Sequence, residues 1–146
     1  MSDEAKNALK QKFPNVTDRP SSDHPAVNVP LGEIVAVLRH LRDVAGFDLL
    51  TDLTAIDWAE GVSPRFTIVY HLFSTVHHGY LRVATDCASD AEPVVPSVVE
   101  LWPGANWHER ETHDFFGIRF TGHPNLTPFL LPEDADFHPL RKDYQP

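Results

Sequence analysis

Thiol chemistry is almost closed to this chain, for Cys87 is the one cysteine in 146 residues. It has no internal disulfide partner, which fits a reducing compartment, and the four thiolates that usually hold an iron–sulfur cluster are missing. No apolar run approaches the roughly 20 residues needed to cross a bilayer, and no charged-then-apolar leader pattern opens the sequence. There is no GxGxxG and no Walker loop, so neither a dinucleotide fold nor a phosphate-cradling loop is indicated. Positive charge is scarce too. Lys and Arg number 12 against 21 Asp and Glu, a formal net charge of -9. The imbalance is local: residues 1–46 carry six of each sign, residues 47–146 fifteen acids and six bases. Such a body argues against nucleic acid, whose phosphates need Lys and Arg, and against an anionic lipid surface. A protein partner with basic patches is compatible with it. The expectation is a protein on the cytosolic side that does not insert into the membrane.

What is present reads as one domain with flanking segments. The 42% hydrophobic content is ordinary for a globular chain of this length. Residues 3–12, with Ser2 as cap, read as a first helix, and Pro14, Pro20 and Pro25 then suggest a linker. Leu31, Ile34, Val35, Leu38, Leu41 and Ala45 keep the 3.6-residue period, which predicts a helix over residues 31–45 ended by Gly46. Residues 47–58 alternate as a strand with Phe47, Leu49, Leu53 and Ala55 on one face. Residues 65–74 and 80–87 make a hairpin about His77, His78 and Gly79, with Cys87 as a small core residue. Val95, Val98, Val99 and Trp102 fit a short helix within residues 90–102, and residues 118–120 a brief strand. The sum is an α+β fold: a two-layer sandwich, its mixed and mostly antiparallel sheet covered by helices on one face. It divides into residues 1–30 (helix and linker), 31–120 (the α+β domain) and 121–146 (a C-terminal segment).

The last part of the chain is the least ordinary. Asn106 with Glu109 three residues on reads as a capping box, and Gly117 as the stop of a short polar helix. Beyond it, Pro124, Pro128, Pro132 and Pro139 forbid a long helix or a central strand and leave an extended belt. His108 and His113 suggest a HExxH zinc site, but a spacing of five sets the rings about 140° apart round a helix, so they cannot share one ion. Glu109 and His113 stand one turn apart and could pair. His77 and His78 read as solvated turn residues. His123 and His138, each before a proline, are placed to pin the belt through ring bonds to backbone carbonyls. Glu111, one turn from Trp107 and Phe115, is expected to be partly buried, with Arg110, Arg119 or Arg141 as partner. Glu109, Glu111 and Asp114 are carboxylates without a nucleophile beside them.

Several blocks then match one family in order. Glu109-Arg110-Glu111, Asp114-Phe115-Phe116-Gly117-Ile118, Gly122-His123-Pro124, and His138-Pro139-Leu140-Arg141-Lys142-Asp143-Tyr144 closely resemble the C-type subunit of respiratory complex I, the NADH-quinone oxidoreductase. The likeness spans about the last two-thirds of the chain, departs from the family at Thr127-Pro128-Phe129 and Phe137, and does not include residues 1–30. Family members commonly continue past the last block, so tail contacts are expected to be missing after Pro146. The resemblance implies a non-redox structural and assembly subunit of the peripheral arm on the cytoplasmic side of the inner membrane. It would dock on the quinone-site (D-type) subunit, among other subunits of the arm. No cofactor and no catalytic or metal residue falls in this chain on that reading; NADH, FMN, iron–sulfur clusters and quinone belong to partner subunits. The helix and belt become the partner interface, Glu109, Arg110, Glu111, Asp114, Phe115, Phe116, Gly117, Gly122, His123, Pro124, His138, Pro139, Leu140, Arg141, Lys142, Asp143 and Tyr144, with Phe115, Phe116 and Leu140 as apolar contacts and Arg110, Arg141 and Lys142 as charged ones. The alternatives are the equivalent subunit of a membrane-bound hydrogenase or an F420- or ferredoxin-linked dehydrogenase, or a stand-alone metal-dependent enzyme.

Overall fold

A computed structural model describes residues 2–127, Leu131 and 137–144. Along the chain run α1 (Ser2–Lys12), β1 (Thr17–Asp18), β2 (Ala26–Asn28), α2 (Ile34–Asp43, led by a 3-10 turn at Leu31–Glu33), β3 (Leu49–Asp57), β4 (Phe66–Ser74), β5 (Gly79–Asp86), β6 (Val94–Pro96), α3 (Ala105–Phe116) and β7 (Arg119–Thr121). Strands β3, β4 and β5 form an antiparallel meander, β2 adds to β5 in parallel, and β1 closes the edge, giving the order β1-β2-β5-β4-β3. Helices cover one face, as the α+β reading requires.

The core follows from two periodicities. On α2, Ile34, Val37, Leu38 and Leu41 are fully buried. Each is worth about 1.5–3 kcal/mol relative to exposure. On the facing side of the sheet, alternate residues Phe66, Ile68, Tyr70 and Leu72 of β4 meet Leu81 and Val83 of β5 in the same cluster, joined by Leu9 of α1. Helix α3 lies along β3, the sheet edge, and the Thr112 hydroxyl donates to the Leu53 carbonyl at 3.4 Å. An edge whose carbonyls would otherwise recruit another chain is thereby covered.

The structure departs from the sequence reading in four places. The stretch read as linker carries β1 and β2, too short for period-two alternation to register. Leu49 is 45% exposed, because a bulge between Leu50 and Asp52 reverses the strand's parity and turns Leu50 toward the core. The helix expected within residues 90–102 is instead β6, paired in parallel with β7. Pro93 and Pro96 break a helix there, and one turn survives where the Trp102 N–H donates to the Val98 carbonyl at 3.1 Å. Finally, Asn106 lies inside α3 rather than at its cap, which is Gly104 without a side-chain bond. Pro128, Phe129 and Pro132 of the expected belt lie outside the described residues.

Candidate partner interface

The end of α3 and residues 137–144 are built as one unit around three buried or half-buried charges. Asp57 ends β3 with its side chain on the core face, and Arg65 precedes β4, so the hairpin brings them together. Arg65 donates two bonds to the Asp57 carboxylate, at 2.8 and 2.9 Å, the bidentate fork geometry of guanidinium and carboxylate. Asp57 also accepts the backbone N–H groups of Ala59 at 2.9 Å and Lys142 at 2.7 Å. The Arg65 bonds, with those N–H groups, hold the Asp57 carboxyl far below the usual carboxylate range, and Asp57 in return raises Arg65. Asp143 adds an ion pair to Arg65 at 3.1 Å. The Arg65 and Arg141 guanidiniums both lie over the Phe66 ring, at 4.9 and 5.1 Å from its centre.

Gly117 is what allows the strap to close. At φ +75° it takes the left-handed helix stop, and its N–H donates to the His113 carbonyl at 2.8 Å. A Cβ there would stand 2.7 Å from Arg141 Nη2 and 2.8 Å from His138 Nε2. The strap therefore lies against bare backbone: Arg141 Nε donates to the Phe116 carbonyl at 2.6 Å, the Leu140 N–H to the Phe115 carbonyl at 3.0 Å, and His138 Nδ1 meets the Asp114 carbonyl at 3.0 Å.

Glu109 plays another part. It is fully buried, and accepts the Ser97 hydroxyl at 2.5 Å and the Val98 N–H at 2.8 Å, tying α3 to the segment after β6. Burial outweighs those bonds and pushes its carboxyl up to about 7. The expected pairing with His113 is not formed, since His113 Nδ1 is bonded to the Ile118 carbonyl at 2.9 Å. His108 stands instead 3.6 Å from Asp52, and no group of three or more His, Cys, Asp or Glu among the described residues could hold a metal.

This geometry sits in a chain with many relatives. Residues 27–146 match the family described as respiratory-chain NADH dehydrogenase, 30 Kd subunit. The chain belongs to that family. The NADH-quinone oxidoreductase C subunit of Moorella thermoacetica is 41% identical over 94% of this chain and 90% of its own, and that of Roseiflexus castenholzii 50% identical over 81% and 68%. A solved structure of the membrane-bound sulfane sulfur reductase, an archaeal respiratory membrane complex, contains a chain of the same fold, with TM-score 0.84 and 26% identity over 99% of this chain and 85% of that one. The curated relatives are thus subunits of NADH-quinone oxidoreductase, and the solved chain is part of a respiratory membrane complex. No helix among the described residues of this family member is long and apolar enough to cross a membrane.

The interface residues named from the sequence divide by exposure. Glu109, Asp114 and Phe116 are buried inside this chain, so their side chains support the surface rather than form it. Phe115 is half-buried against the core, and Glu111, expected to be partly buried, is exposed. Arg110 lies over the Trp107 ring at 5.3 Å and reaches toward Thr127. Gly122 and Pro124 are exposed, while His123 accepts the Asn125 N–H at 2.9 Å. Pro139 is half-buried, and Lys142 and Asp143 are exposed. Leu140 is 54% exposed, and Phe137 and Tyr144 stack on each other near the surface. Sequence reading missed Asp57, Arg65, Phe66 and the 52%-exposed Trp107. A signal for Asp57 existed, since it shares the parity of Leu53 and Ala55 and so brings a charge to the core face.

Proposed function

We propose that this chain is a non-redox structural subunit of the peripheral arm of a proton-translocating NADH-quinone oxidoreductase, docked through α3 and the strap of residues 137–144 on the quinone-site subunit of that complex. The observation that carries this reading is the strap itself. It is fastened to the buried Asp57–Arg65 pair of the domain through the Lys142 N–H and the Asp143 carboxylate, and by main-chain bonds, yet it holds Leu140 54% exposed, with Phe137 and Tyr144 beside it. Apolar side chains fixed in place and left uncovered are the anchors of a protein interface. Arg110, Lys142 and the rim carboxylates would supply the polar surround. The electrons, on this reading, pass through NADH, FMN, iron–sulfur and quinone sites of partner subunits, and the isolated chain is inactive. Its place is the cytoplasmic side of the membrane.

The likeness to a chain of the sulfane sulfur reductase complex favours a second reading, a sister respiratory complex with a different electron-input module. The higher identity to NADH-quinone oxidoreductase subunits supports the first. Purifying the tagged chain from its native membranes separates them. Recovery with a quinone-site subunit and an NADH-binding subunit is expected; the same core with a hydrogenase or sulfur-reducing subunit instead would move the chain to the sister complexes. A chain truncated before Gly122 should fail to recover any partner, and full recovery would end the interface reading.

A further inference from the structure

On the sheet face away from α2, one row of ionisable side chains runs from strand to strand. Asp52 on β3 lies opposite His71 on β4, and His71 opposite Arg82 on β5. Arg82 donates its Nε–H to His71 Nε2 at 2.8 Å. A guanidinium has no lone pair to offer, so this bond requires a bare Nε2. The His71 ring is therefore neutral, with its proton on Nδ1, 3.8 Å from the Asp52 carboxylate. The rest of the Arg82 fork is spent on the connection between β1 and β2. Nη1 donates to Ser21 Oγ and to Asp23 Oδ1, each at 3.0 Å, and Nη2 to Asp23 Oδ2 at 2.9 Å. The Arg82 backbone N–H adds a bond to the Pro25 carbonyl at 2.9 Å. Within the connection, Asp23 also accepts the His24 N–H at 2.9 Å, and the His24 ring stacks on Tyr80 with centres 4.7 Å apart. One arginine thus clips residues 21–25 onto the sheet, and a neutral histidine orients it.

The charged groups facing His71 among the described residues are Asp52 of β3, itself 3.6 Å from His108 of α3, Arg82 of β5, and Asp23 and His24 of the connection. Burial, with Arg82 and His24, outweighs the two carboxylates, so the ring takes a proton less readily than an ordinary histidine.

We propose that His71 is a proton-operated latch on the β1–β2 connection: a proton on Nε2 breaks the bond to Arg82 and frees residues 21–25 from the sheet. The protonated ring presents N–H at both nitrogens, so the contact becomes donor against donor and cation against cation, and the pair separates. Asp52 is there for the ring to turn to. Arg82 then loses the contact that orients its fork. What remains is its pair with Asp23, whose side chain is 53% exposed, and such a pair holds little in water. Tyr80 loses its His24 cover in the same step. The connection is held while the ring is neutral and released as pH falls below the ordinary histidine value of 6.5.

The test is an NMR titration of the full labelled chain from pH 7.5 to 5. It reads the His71 ring nitrogens and the hydrogen exchange of the His24 and Arg82 amides, corrected for the intrinsic effect of pH. At pH 7.5 the ring is expected as the Nδ1–H tautomer. Its protonation should have a midpoint below 6.5, and exchange of both amides should rise about tenfold with that midpoint. His71→Gln offers Arg82 a carbonyl at every pH and should keep the amides protected to pH 5. His71→Lys carries the charge throughout and should expose them at pH 7.5; if it does not fold, the parent and Gln profiles decide. Amides that stay protected while the ring is protonated would overturn the proposal. So would the same acid-induced exchange in the Gln variant, an Nε2–H ring at pH 7.5, or a folded Lys variant with both amides protected.

Discussion

Glu109 illustrates how much one side chain can be asked to do inside a small domain. Its carboxyl is out of water and bonded to a hydroxyl and a backbone N–H, with no cation beside it among the described residues, so the folded chain binds its proton more tightly than the unfolded chain does. With its folded value near 7 and an ordinary value of 4.5, the stability it contributes is complete below about 4.5 and is lost as pH rises to about 7. The swing is on the order of 3 kcal/mol. Gln in its place can still accept the Val98 N–H and can donate to the Ser97 hydroxyl. Denaturant unfolding of Glu109→Gln between pH 4.5 and 8 should therefore show a flatter profile than the parent and equal or greater stability at pH 8. A parental slope in the variant would mean the proton is bound elsewhere. From the sequence, Glu109 was read as a capping residue, a possible partner of His113 and an interface residue, and its burial was missed because its real partners, Ser97 and Val98, follow strand β6, which was itself read as a helix.

At the scale of elements, long periodic segments were legible and short ones were not. Helix α2 and the β4–β5 hairpin announce themselves by 3.6- and 2-residue patterns over enough residues to be unmistakable. Strands β2 and β6, of three residues each, exist only because a neighbour already in place offers its edge. Gly117 was legible as a helix stop, but not as the seat of the strap, for that depends on residues more than twenty positions away. Gly117→Ala should cost about 1 kcal/mol from the left-handed backbone alone. It should also lift the strap, since Arg141 and His138 occupy the room a methyl needs. Limited proteolysis is the measurement: faster cleavage within residues 137–144 with the rest of the domain protected is expected, and parental protection of the strap would contradict the packing described.

For the whole molecule, the question is what the chain shows to others. The family signature was readable because it is a string of residues close in sequence; its meaning was not, because some of the residues face inward. Asp57 and Arg65, far from the signature in sequence, hold it in register. Exposed Leu140 gives the corresponding prediction. Leu140→Asp should leave the melting temperature of the isolated chain within a few degrees, while recovery of partner subunits from membranes falls at least tenfold. Equal recovery would move the interface off the strap. The strap also has a consequence in time. Asp57 and Arg65 are synthesised before the N–H of Lys142, 85 residues after Asp57, and the carboxylate of Asp143 that complete their network. A nascent chain that has just left the ribosome through β7 holds the residues of its sheet and its core, yet lacks those that close the Asp57–Arg65 network. The network is thereby left open in any chain that has not yet reached residues 142 and 143.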